Sequence, residues 1–499
     1  MNKMLTAMKN KSNYTYTENG ALTHITTNSK VLDMFARGGA MRKASKEDKI
    51  LLFKEAFEED MTLALKCLFY LRDVREGQGE RQFFKDCLHW LAMTYPSTLR
   101  RILRYVPEFG RWDDLYCFVG TPLEKDTFAF MKRQLNLDIK SKTPSLLAKW
   151  LKSENASSKE TKKLAYLTME AFGLTPKQYR IILSALRERI KVVETLISAN
   201  RWDEIEFDKI PSKAGLKYKN AFARRDMIKQ KYEAFIKNDK TKVNAKTLYP
   251  YEVVQQANNC AYHSMDSTTR MAVNKYWDNL TDYFSKCSFD ALPVIDTSSS
   301  MRGTPLDVAC SLGLYMAERN KGPFHNHYIS FSRNARLIET SGVDFVDKVR
   351  RIYSANLCEN TNIESVFDLI LDMLIKKEIS YSDLPKNIII ISDMEFDTAR
   401  RTATWGYSSS PVEKPETLME KIAHKWRMWG YEMPHLIYWN VDSRQANIPM
   451  LGVNKISYIS GFSPFIFETL MHGKSGYELM LDKLMSERYN CIYVEDMYE

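Results

Sequence analysis

The 499-residue sequence predicts two domains of different fold class. Residues 1–285 are expected to form an α-helical repeat domain, and residues 286–499 an α/β domain built on a doubly wound parallel sheet. Three observations carry this prediction. Apolar residues recur at helical spacing in the first part, short apolar runs alternate with helical segments in the second part, and the net charge changes sign between them.

The first part consists of consecutive amphipathic segments. Between residues 45 and 200, stretches such as KEDKILLFKEAFEED and RQFFKDCLHWLAMTY are separated by breakers such as REGQGE and PEFG. A long helix is expected over residues 174–200, with Thr175 as its N-cap and Pro176 at its first position. Helices of about fifteen residues joined by short turns are typical of an α-solenoid of helical hairpins.

The pattern changes near residue 290. Five runs rich in β-branched and aromatic residues are expected to be strands: ALPVIDT, HNHYISFS, KNIIIISDM, MPHLIYWNV and KISYISG. The helices expected around them cover residues 305–320, 343–353, 363–377, 415–429 and 463–486. This alternation is typical of a parallel sheet, in which ligands bind at the carboxyl ends of the strands.

The charge is distributed unevenly. Residues 1–290 carry 50 Lys and Arg against 35 Asp and Glu, a net charge of +15, and residues 291–499 carry 22 against 27, a net charge of −5. A basic half beside an acidic one indicates a polyanionic partner for the first half only. Solvated basic faces of ordinary helices are the alternative explanation, and charge alone does not decide between them.

The sequence is expected to belong to a cytoplasmic protein without a membrane partner. It contains no apolar run long enough to span a bilayer, and its first residues are polar and basic, without the apolar core of a secretory signal. The eight cysteines form no CxxC pair and have no histidine at zinc spacing, which favours reduced thiols.

Oxygen-bearing side chains gather after the predicted strands. The stretch PVIDTSSSMRG places Asp296, Ser298 and Ser300 after the first strand, CENTNIES places Thr361 before a helix, and IIIISDMEFD ends a strand at Asp393. One such loop alone is as consistent with a helix-capping turn. Together, the three loops predict a metal site made only of hard oxygen ligands, with Mg²⁺ as the expected ion and Ca²⁺ or Mn²⁺ as alternatives.

These three segments resemble the metal-ion-dependent adhesion site of von Willebrand factor A domains, whose Asp-x-Ser-x-Ser motif matches residues 296–300. The separate threonine and aspartate of that site match Thr361 and Asp393. The resemblance implies that the hydroxyls contact the metal, that the aspartates often act through water, and that an open position accepts a carboxylate from a partner protein. It implies binding and no catalysis, so the protein is not expected to be an enzyme.

The helical part resembles the TROVE module. The resemblance is carried by YLRDVREGQGERQFF, VPEFGRWDDLY, LSALRERIKVVETLISANRWDEIEFDKIPS and NAKTLYPYEVV. With an A domain following the module, the order is that of the Ro ribonucleoprotein family, and the similarity is greatest to its bacterial and phage relatives. The resemblance implies HEAT-like helical repeats closed into a ring, whose basic inner surface binds single-stranded RNA ends and whose outer face binds small structured RNAs.

Candidate RNA contacts are basic residues beside a glycine-rich turn or aromatic rings, where guanidinium groups meet phosphate and rings stack on bases. They are Arg72, Arg75, Arg81, Arg111, Lys217, Lys219, Arg224 and Arg225. The first three are equally expected to form ion pairs with Asp73, Glu76 and Glu80. The others have a solvated helix face, or packing at a helix start, as the alternative.

The expected function is that of a Ro-like RNA-binding protein. It would hold noncoding or defective RNA and scaffold a protein partner, a nuclease among the candidates, through the metal face. A protein-interaction adaptor without RNA, such as the A-domain partner of an ATPase, is the alternative. A metal-dependent nuclease or phosphotransferase would need a general base or a second metal site, and the sequence displays neither.

Overall fold

A computed structural model describes residues 13–259, 266–284, 290–355, 360–377, 379–398, 416–451, 455–470 and 474–493. The chain divides into two compact units. The sheet unit comprises Met1–Cys67, Tyr249–Met265 and Leu280–Glu487, and the helical unit comprises Leu68–Leu248, Asp266–Asn279 and Arg488–Glu499. Each unit therefore takes segments from more than one part of the sequence.

The chain before residue 290 is helical apart from one small hairpin, made of β1 (Thr15–Tyr16) and β2 (Leu22–Thr23), within the described residues. The helices are α1 (Lys30–Arg37), α2 (Lys46–Glu59), α3 (Met61–Arg72), α4 (Gln82–Thr94), α5 (Pro96–Ile102), α6 (Val106–Phe109), α7 (Glu124–Lys140), α8 (Leu147–Trp150), α9 (Lys159–Phe172), α10 (Pro176–Ile190), α11 (Val193–Ser198), α12 (Ser212–Arg224), α13 (Asp226–Lys237), α14 (Pro250–Asn259) and α15 (Ser267–Asp278).

Strands and helices alternate from residue 291 onwards. The strands are β3 (Ala291–Asp296), β4 (His327–Phe331), β5 (Ala335–Glu339), β6 (Asn387–Ser392), β7 (His435–Asn440) and β8 (Ile456–Ser460). The helices are α16 (Thr304–Arg319), α17 (Phe345–Ala355), α18 (Glu364–Lys377), α19 (Leu418–Met428), α20 (Phe467–Leu470) and α21 (Gly476–Leu484).

The six strands form one mixed sheet in the order β5-β4-β3-β6-β7-β8. Strands β4, β3, β6, β7 and β8 are parallel, and β5 pairs antiparallel with β4 at one edge. In this register Asp296 stands opposite Phe331, and Ser392 stands opposite Asn440. The carboxyl ends of the parallel strands consequently meet at one edge of the sheet, with Asp296 at the end of its central strand.

Helices cover both faces of the sheet, because successive side chains of a strand point to opposite sides. On one face Val294 and Ile390 belong to a buried apolar cluster that also contains Trp426 of α19. On the other face Ile295 packs so closely on α16 that a Cβ at Gly313 would lie 2.3 Å from its side chain. The near-continuous apolar strands of the sequence are explained by this two-sided burial.

The five predicted strands are confirmed as β3, β4, β6, β7 and β8, and the coarse division into a helical region and an α/β region holds. Strand β5 was not predicted. Its residues are half-buried or exposed, because it lies at the edge of the sheet and lacks the apolar run of the inner strands. The structure therefore adds an antiparallel edge strand to a sheet that the sequence predicts as parallel.

Two predicted helices are interrupted. Thr175 caps α10 and Pro176 is its first residue, as expected, but the helix ends at Lys191, which has a left-handed backbone conformation, and α11 follows separately. The helix expected over residues 463–486 is divided into α20 and α21, and residues 471–473 lie outside the described part of the chain. Apolar periodicity continues through the first break, so it did not reveal it, whereas the second prediction was extended across the polar, glycine-containing run HGKSG of residues 472–476.

The start of the chain belongs to the sheet unit. The backbone amide of His24 donates to the Ile448 carbonyl at 3.0 Å, and the Ser460 hydroxyl donates to the Phe35 carbonyl at 2.7 Å. The sequence predicts two domains that are continuous stretches of the chain, divided between residues 285 and 286. Each compact unit instead combines segments from both sides of that division. Residues 285–289, where that division falls, lie outside the described residues.

The helical unit has its own aromatic core. The ring of Phe69 meets those of Phe84 and Phe109 edge-on, at centroid distances of 5.2 and 5.4 Å. All three side chains are fully buried, and each contributes roughly 1.5–3 kcal/mol to stability by leaving water. Within the described residues no helix is both long enough and apolar enough to cross a membrane.

Candidate metal and nucleic-acid sites

The Asp296 loop forms the centre of the polar edge. The carboxylate of Asp296 is fully buried at the end of β3, and one of its oxygens accepts a hydrogen bond from the Ser298 amide at 2.9 Å. The chain then turns so that the hydroxyls of Ser298 and Ser300 lie 3.0 Å apart. The alternation of the Asp-x-Ser-x-Ser stretch thus brings its two serine hydroxyls together, as the sequence predicts.

The next loop of the edge begins where β6 ends. The Ser392 hydroxyl donates to the second carboxylate oxygen of Asp296 at 2.5 Å, and the buried Asp393 follows directly. Burial and, to a smaller extent, the negative charge of Asp393 raise the pKa of Asp296 to about 7. The negative charge of Asp393 thus acts on the carboxyl group of Asp296.

Thr361 lies in a third loop, against the other two. Its carbonyl accepts a hydrogen bond from the Asp397 amide at 2.9 Å, and the amide of Asn362 donates to the Ser332 carbonyl beyond β4 at 2.8 Å. The Thr361 side chain is buried. The Thr361 loop is thus placed between the end of β4 and the loop that starts at Asp393.

The edge also contains charged residues that the sequence did not single out. Arg444, beyond β7, donates to the Asp393 carboxylate and forms a second ion pair with Glu18, whose carboxylate lies 2.9 Å away. The backbone amide of Glu18 donates to the Glu395 carboxylate at 2.6 Å. The rule that carboxyl ends of parallel strands converge could have found Arg444, but no local pattern connects Glu18 to residues near 395.

Glu395 is a buried carboxylate with one unsatisfied oxygen. Its side chain is 1% exposed, and only the oxygen that faces the Glu18 amide has a hydrogen-bond partner. Burial, more than the neighbouring charge of Asp393, raises its pKa to about 7. A buried carboxylate oxygen without a hydrogen-bond donor destabilises the folded chain, because it has lost its contact with water. This part of the edge therefore has more carboxylate oxygens than donors to satisfy them.

The donor set suits a hard divalent cation. Asp296, Asp393, Ser298 and Ser300 offer only oxygen, which Mg²⁺ and Ca²⁺ prefer to nitrogen or sulfur. Among the described residues no three His, Cys, Asp or Glu side chains are grouped closely enough to hold a metal. A cation at this edge would therefore depend on the serine hydroxyls and on water beside the two aspartates.

The basic residues near the glycine-rich turn of the helical unit are paired within the chain. Arg72 is buried and contacts Asp114 at 2.7 Å. Arg81 contacts Asp113 at 2.6 Å, and Arg111 contacts the same carboxylate at 3.0 Å. Arg72 and Arg81 therefore pair with the two aspartates of GRWDDLY, which the sequence did not suggest as their partners, while Asp73 pairs with Arg488.

Arg75 and Lys219 differ in their exposure. Arg75 is exposed and donates to the Glu108 carbonyl at 3.0 Å. Lys219 is 2% exposed, and its ammonium group lies 3.4 Å from the Leu216 carbonyl. Arg72 and Lys219 have too little surface for a phosphate contact, so neither enters the proposal below.

The exposed cations lie on α12 and at the junction with α13. Lys217, Arg224 and Arg225 are all exposed, and the Arg225 guanidinium lies over the Trp202 ring at 5.0 Å from its centroid. The stretch of residues 213–232 has seven Lys and Arg against one Asp, a net charge of +6. With Arg75, the structure therefore keeps four of the predicted basic residues exposed on the helical unit, three of them in this stretch.

The fold and site define an α/β domain with an oxygen-lined carboxyl edge, joined in one chain to a helical unit. The chain belongs to the family described as "Domain of unknown function (DUF2828)", whose model matches residues 17–165 and 138–288 and so covers more than half of it. Residues 290–489 match a second model, "Domain of unknown function (DUF7788)". The two matched regions meet close to the boundary that the sequence predicts.

A relative extends over nearly the whole chain. The chain is 29% identical over 508 aligned positions to "Uncharacterized protein L728" of Acanthamoeba polyphaga mimivirus. The alignment covers 93% of this chain and 85% of the viral protein. The helical part and the α/β part thus occur together in both proteins.

Proposed function

We propose that this protein is a Ro-like RNA-binding scaffold. In this proposal the sheet unit contains a von Willebrand factor A-type domain that binds a divalent cation, Mg²⁺ foremost. The helical region is a HEAT-like repeat module of the TROVE type that holds single-stranded or small structured RNA. The cation face engages a protein partner through a carboxylate, and the chain itself catalyses no reaction.

One observation carries the proposal: three loops separated by up to 97 residues meet at the carboxyl edge of a parallel sheet and present oxygen only. Asp296 and Asp393 supply negative charge, and Ser298 and Ser300 supply hydroxyls 3.0 Å apart. Arg444 compensates Asp393, whereas Asp296 is fully buried and accepts hydrogen bonds from Ser298 and Ser392. A buried carboxylate opposes folding unless a positive charge compensates it. A divalent cation would supply that charge and leave a position for an acidic group of a partner.

The support for RNA comes from the exposed cations of the helical unit. Lys217, Arg224 and Arg225 lie in a stretch of net charge +6 with aromatic residues among them. Clustered positive charge attracts the phosphate backbone, and aromatic rings add sequence-tolerant stacking. The resemblance to the TROVE module favours RNA over other polyanions.

Calorimetric titration of the full chain with Mg²⁺ tests the cation site. Wild-type protein is expected to bind one ion, and Asp296→Asn is expected to abolish measurable binding. Asp372→Asn is the matched control, because Asp372 is an exposed aspartate of the same unit whose partner is Lys376. Wild-type protein that binds neither Mg²⁺, Ca²⁺ nor Mn²⁺ would contradict the proposed cation-dependent role.

A second candidate function is a protein-interaction adaptor without RNA. The observation in its favour is that Arg72, Arg81 and Arg111 are held by Asp113 and Asp114 within the chain. A filter-binding assay with single-stranded RNA at two salt concentrations separates the two candidates. RNA binding that weakens with salt supports the scaffold, and an absence of RNA binding at low salt supports the adaptor.

A further inference from the structure

The helical unit contains an aromatic cleft that none of the interactions above uses. Its volume is about 410 Å³, within the range of small-ligand sites, and it opens between α7 and the segment that follows α5. Tyr105, Trp112 and Phe130 line it together with Arg104 and Gln134. Aromatic rings beside charged and amide side chains are typical of a site for a flat, partly polar ligand.

The rings of the cleft are arranged for stacking. Trp112 and Phe130 are stacked with centroids 5.4 Å apart and planes inclined by 27°, and both side chains are half-buried. The Arg104 guanidinium lies 4.8 Å from the Tyr105 centroid and donates to the Tyr105 hydroxyl at 2.7 Å. A planar ligand would therefore meet an aromatic pair and a guanidinium plane, the two surfaces on which bases stack.

The surroundings of the cleft favour a negatively charged ligand. Glu108 is the one acidic residue among the residues that line it. Arg101 lies three residues before Arg104, and Arg133 lies three residues after Phe130 on α7, so each is about one helical turn from the lining. Both arginines are exposed. Asp126, four residues before Phe130 on α7, lies at the same spacing, but its charge is paired with Arg100. Three arginines against Glu108 leave the surroundings of the cleft net positive, which suits a ligand with phosphates.

We infer that this cleft binds one nucleobase of a single-stranded RNA, with Arg104 and the rim arginines contacting its flanking phosphates. The inference rests on the proposed function, since it gives a base-stacking subsite to the RNA that the helical region holds. Gln134 donates one amide hydrogen to Asp138 at 2.8 Å, which leaves its second amide hydrogen and its carbonyl oxygen for a base edge. A free nucleotide shares this chemistry, and a proline-rich peptide would use the same rings without the phosphates.

The test compares full-length variants by fluorescence anisotropy with a labelled twelve-nucleotide RNA. Trp112→Leu is expected to weaken binding roughly tenfold, the loss typical of one stacked base. Arg104→Gln should weaken binding about threefold and flatten its salt dependence, because one phosphate contact is lost. Tyr166→Ala is the matched control: Tyr166 is an exposed aromatic of the same unit, outside the cleft, and its loss should leave the affinity unchanged.

Arg104 is exposed, so Arg104→Gln keeps the test valid if the tryptophan variant fails to fold. Wild-type affinity in both folded variants would overturn the base subsite while leaving RNA binding intact. An absence of RNA binding by wild-type protein would overturn the proposed function itself. Competition by millimolar AMP, lost in the Trp112 variant, would support the cleft directly, whereas competition by a polyproline peptide and not by AMP would overturn its assignment to a base.

Discussion

The guanidinium of Arg444 donates to the buried carboxylate of Asp393, and so places a positive charge beside one of the two aspartates of the polar edge. The same guanidinium contacts Glu18 at 2.9 Å, which ties the beginning of the chain to the loop after β6. A cation bound at the edge and the Arg444 side chain would compete for the same carboxylate. Arg444 is therefore expected to set the affinity of the site.

Replacing Arg444 with methionine should make Mg²⁺ bind more tightly. The partly exposed ion pair contributes about 1 kcal/mol, so its loss corresponds to roughly fivefold higher affinity. The metal-free variant should melt at a lower temperature, because Asp393 loses its partner. Melting curves with and without Mg²⁺ measure both effects. Lys43→Gln, which breaks a pair with the buried Asp442 of the same unit, should not change the Mg²⁺ affinity.

Replacing Arg224 and Arg225 with glutamine should change how RNA binding responds to salt. For single strands the logarithm of affinity falls by roughly 0.7 per contacted phosphate for each unit of log salt, so the slope should flatten by about 1.4 units if both residues contact phosphate. Stability should change little, because both side chains are exposed. Lys162→Gln with Lys163→Gln removes the same charge from α9 of the same unit and serves as the control. Equal slopes for the two double variants would contradict a specific role for α12.

Replacing Asp114 with asparagine should destabilise the helical unit by about 3 kcal/mol. Arg72 is buried with Asp114, and a buried guanidinium without its carboxylate carries an uncompensated charge. Asp126→Asn breaks a largely exposed pair with Arg100 and should have only a small effect. Chemical denaturation of both variants measures the difference. Similar losses would show that the Asp114 network does not hold the unit together.

Stability should depend on pH through His435. Burial lowers the pKa of this imidazole from 6.5 to about 4, so between these values the unfolded chain takes up a proton that the folded chain refuses. The contribution of His435 to the free energy of unfolding is therefore constant above pH 6.5, and it falls as the pH drops towards 4, by about 2 kcal/mol at pH 5. His435→Asn should lose this part of the pH dependence. His424→Asn, at a largely exposed position, should keep it, and denaturation at pH 7 and pH 5 compares the three proteins.

Two of the three predicted loops could be placed together from the sequence because each follows an apolar strand. Asp296 ends β3 and Asp393 follows β6, and strand order alone brings such ends together in a parallel sheet. Glu395 was missed because its importance lies in its burial and its unsatisfied oxygen, which depend on the Glu18 segment. The residues that complete the edge come from loops with no local signal of proximity.

The predicted basic contacts show the opposite case. Charge and aromatic composition marked Arg72, Arg81 and Arg111 as candidates, and they could not reveal that Asp113 and Asp114 bind all three. Folding, and not the local sequence, decides which of the predicted basic side chains are exposed. Nearby positions of one helix lie on different faces of it. Lys217 is therefore exposed, whereas Lys219, two positions further on, is buried.

The sequence by itself determined the five parallel strands, the helical character of the first part and the oxygen-rich loops, because these depend on local periodicity and on residue chemistry. Tertiary structure alone decided that residues 13–67 pack with the sheet, that β5 joins its edge, and that Arg444 neutralises Asp393. Local patterns record which face of an element avoids water. They do not indicate which distant charged residue will contact that element. Such an ion pair forms only when the chain has folded and water has been excluded from between the two side chains.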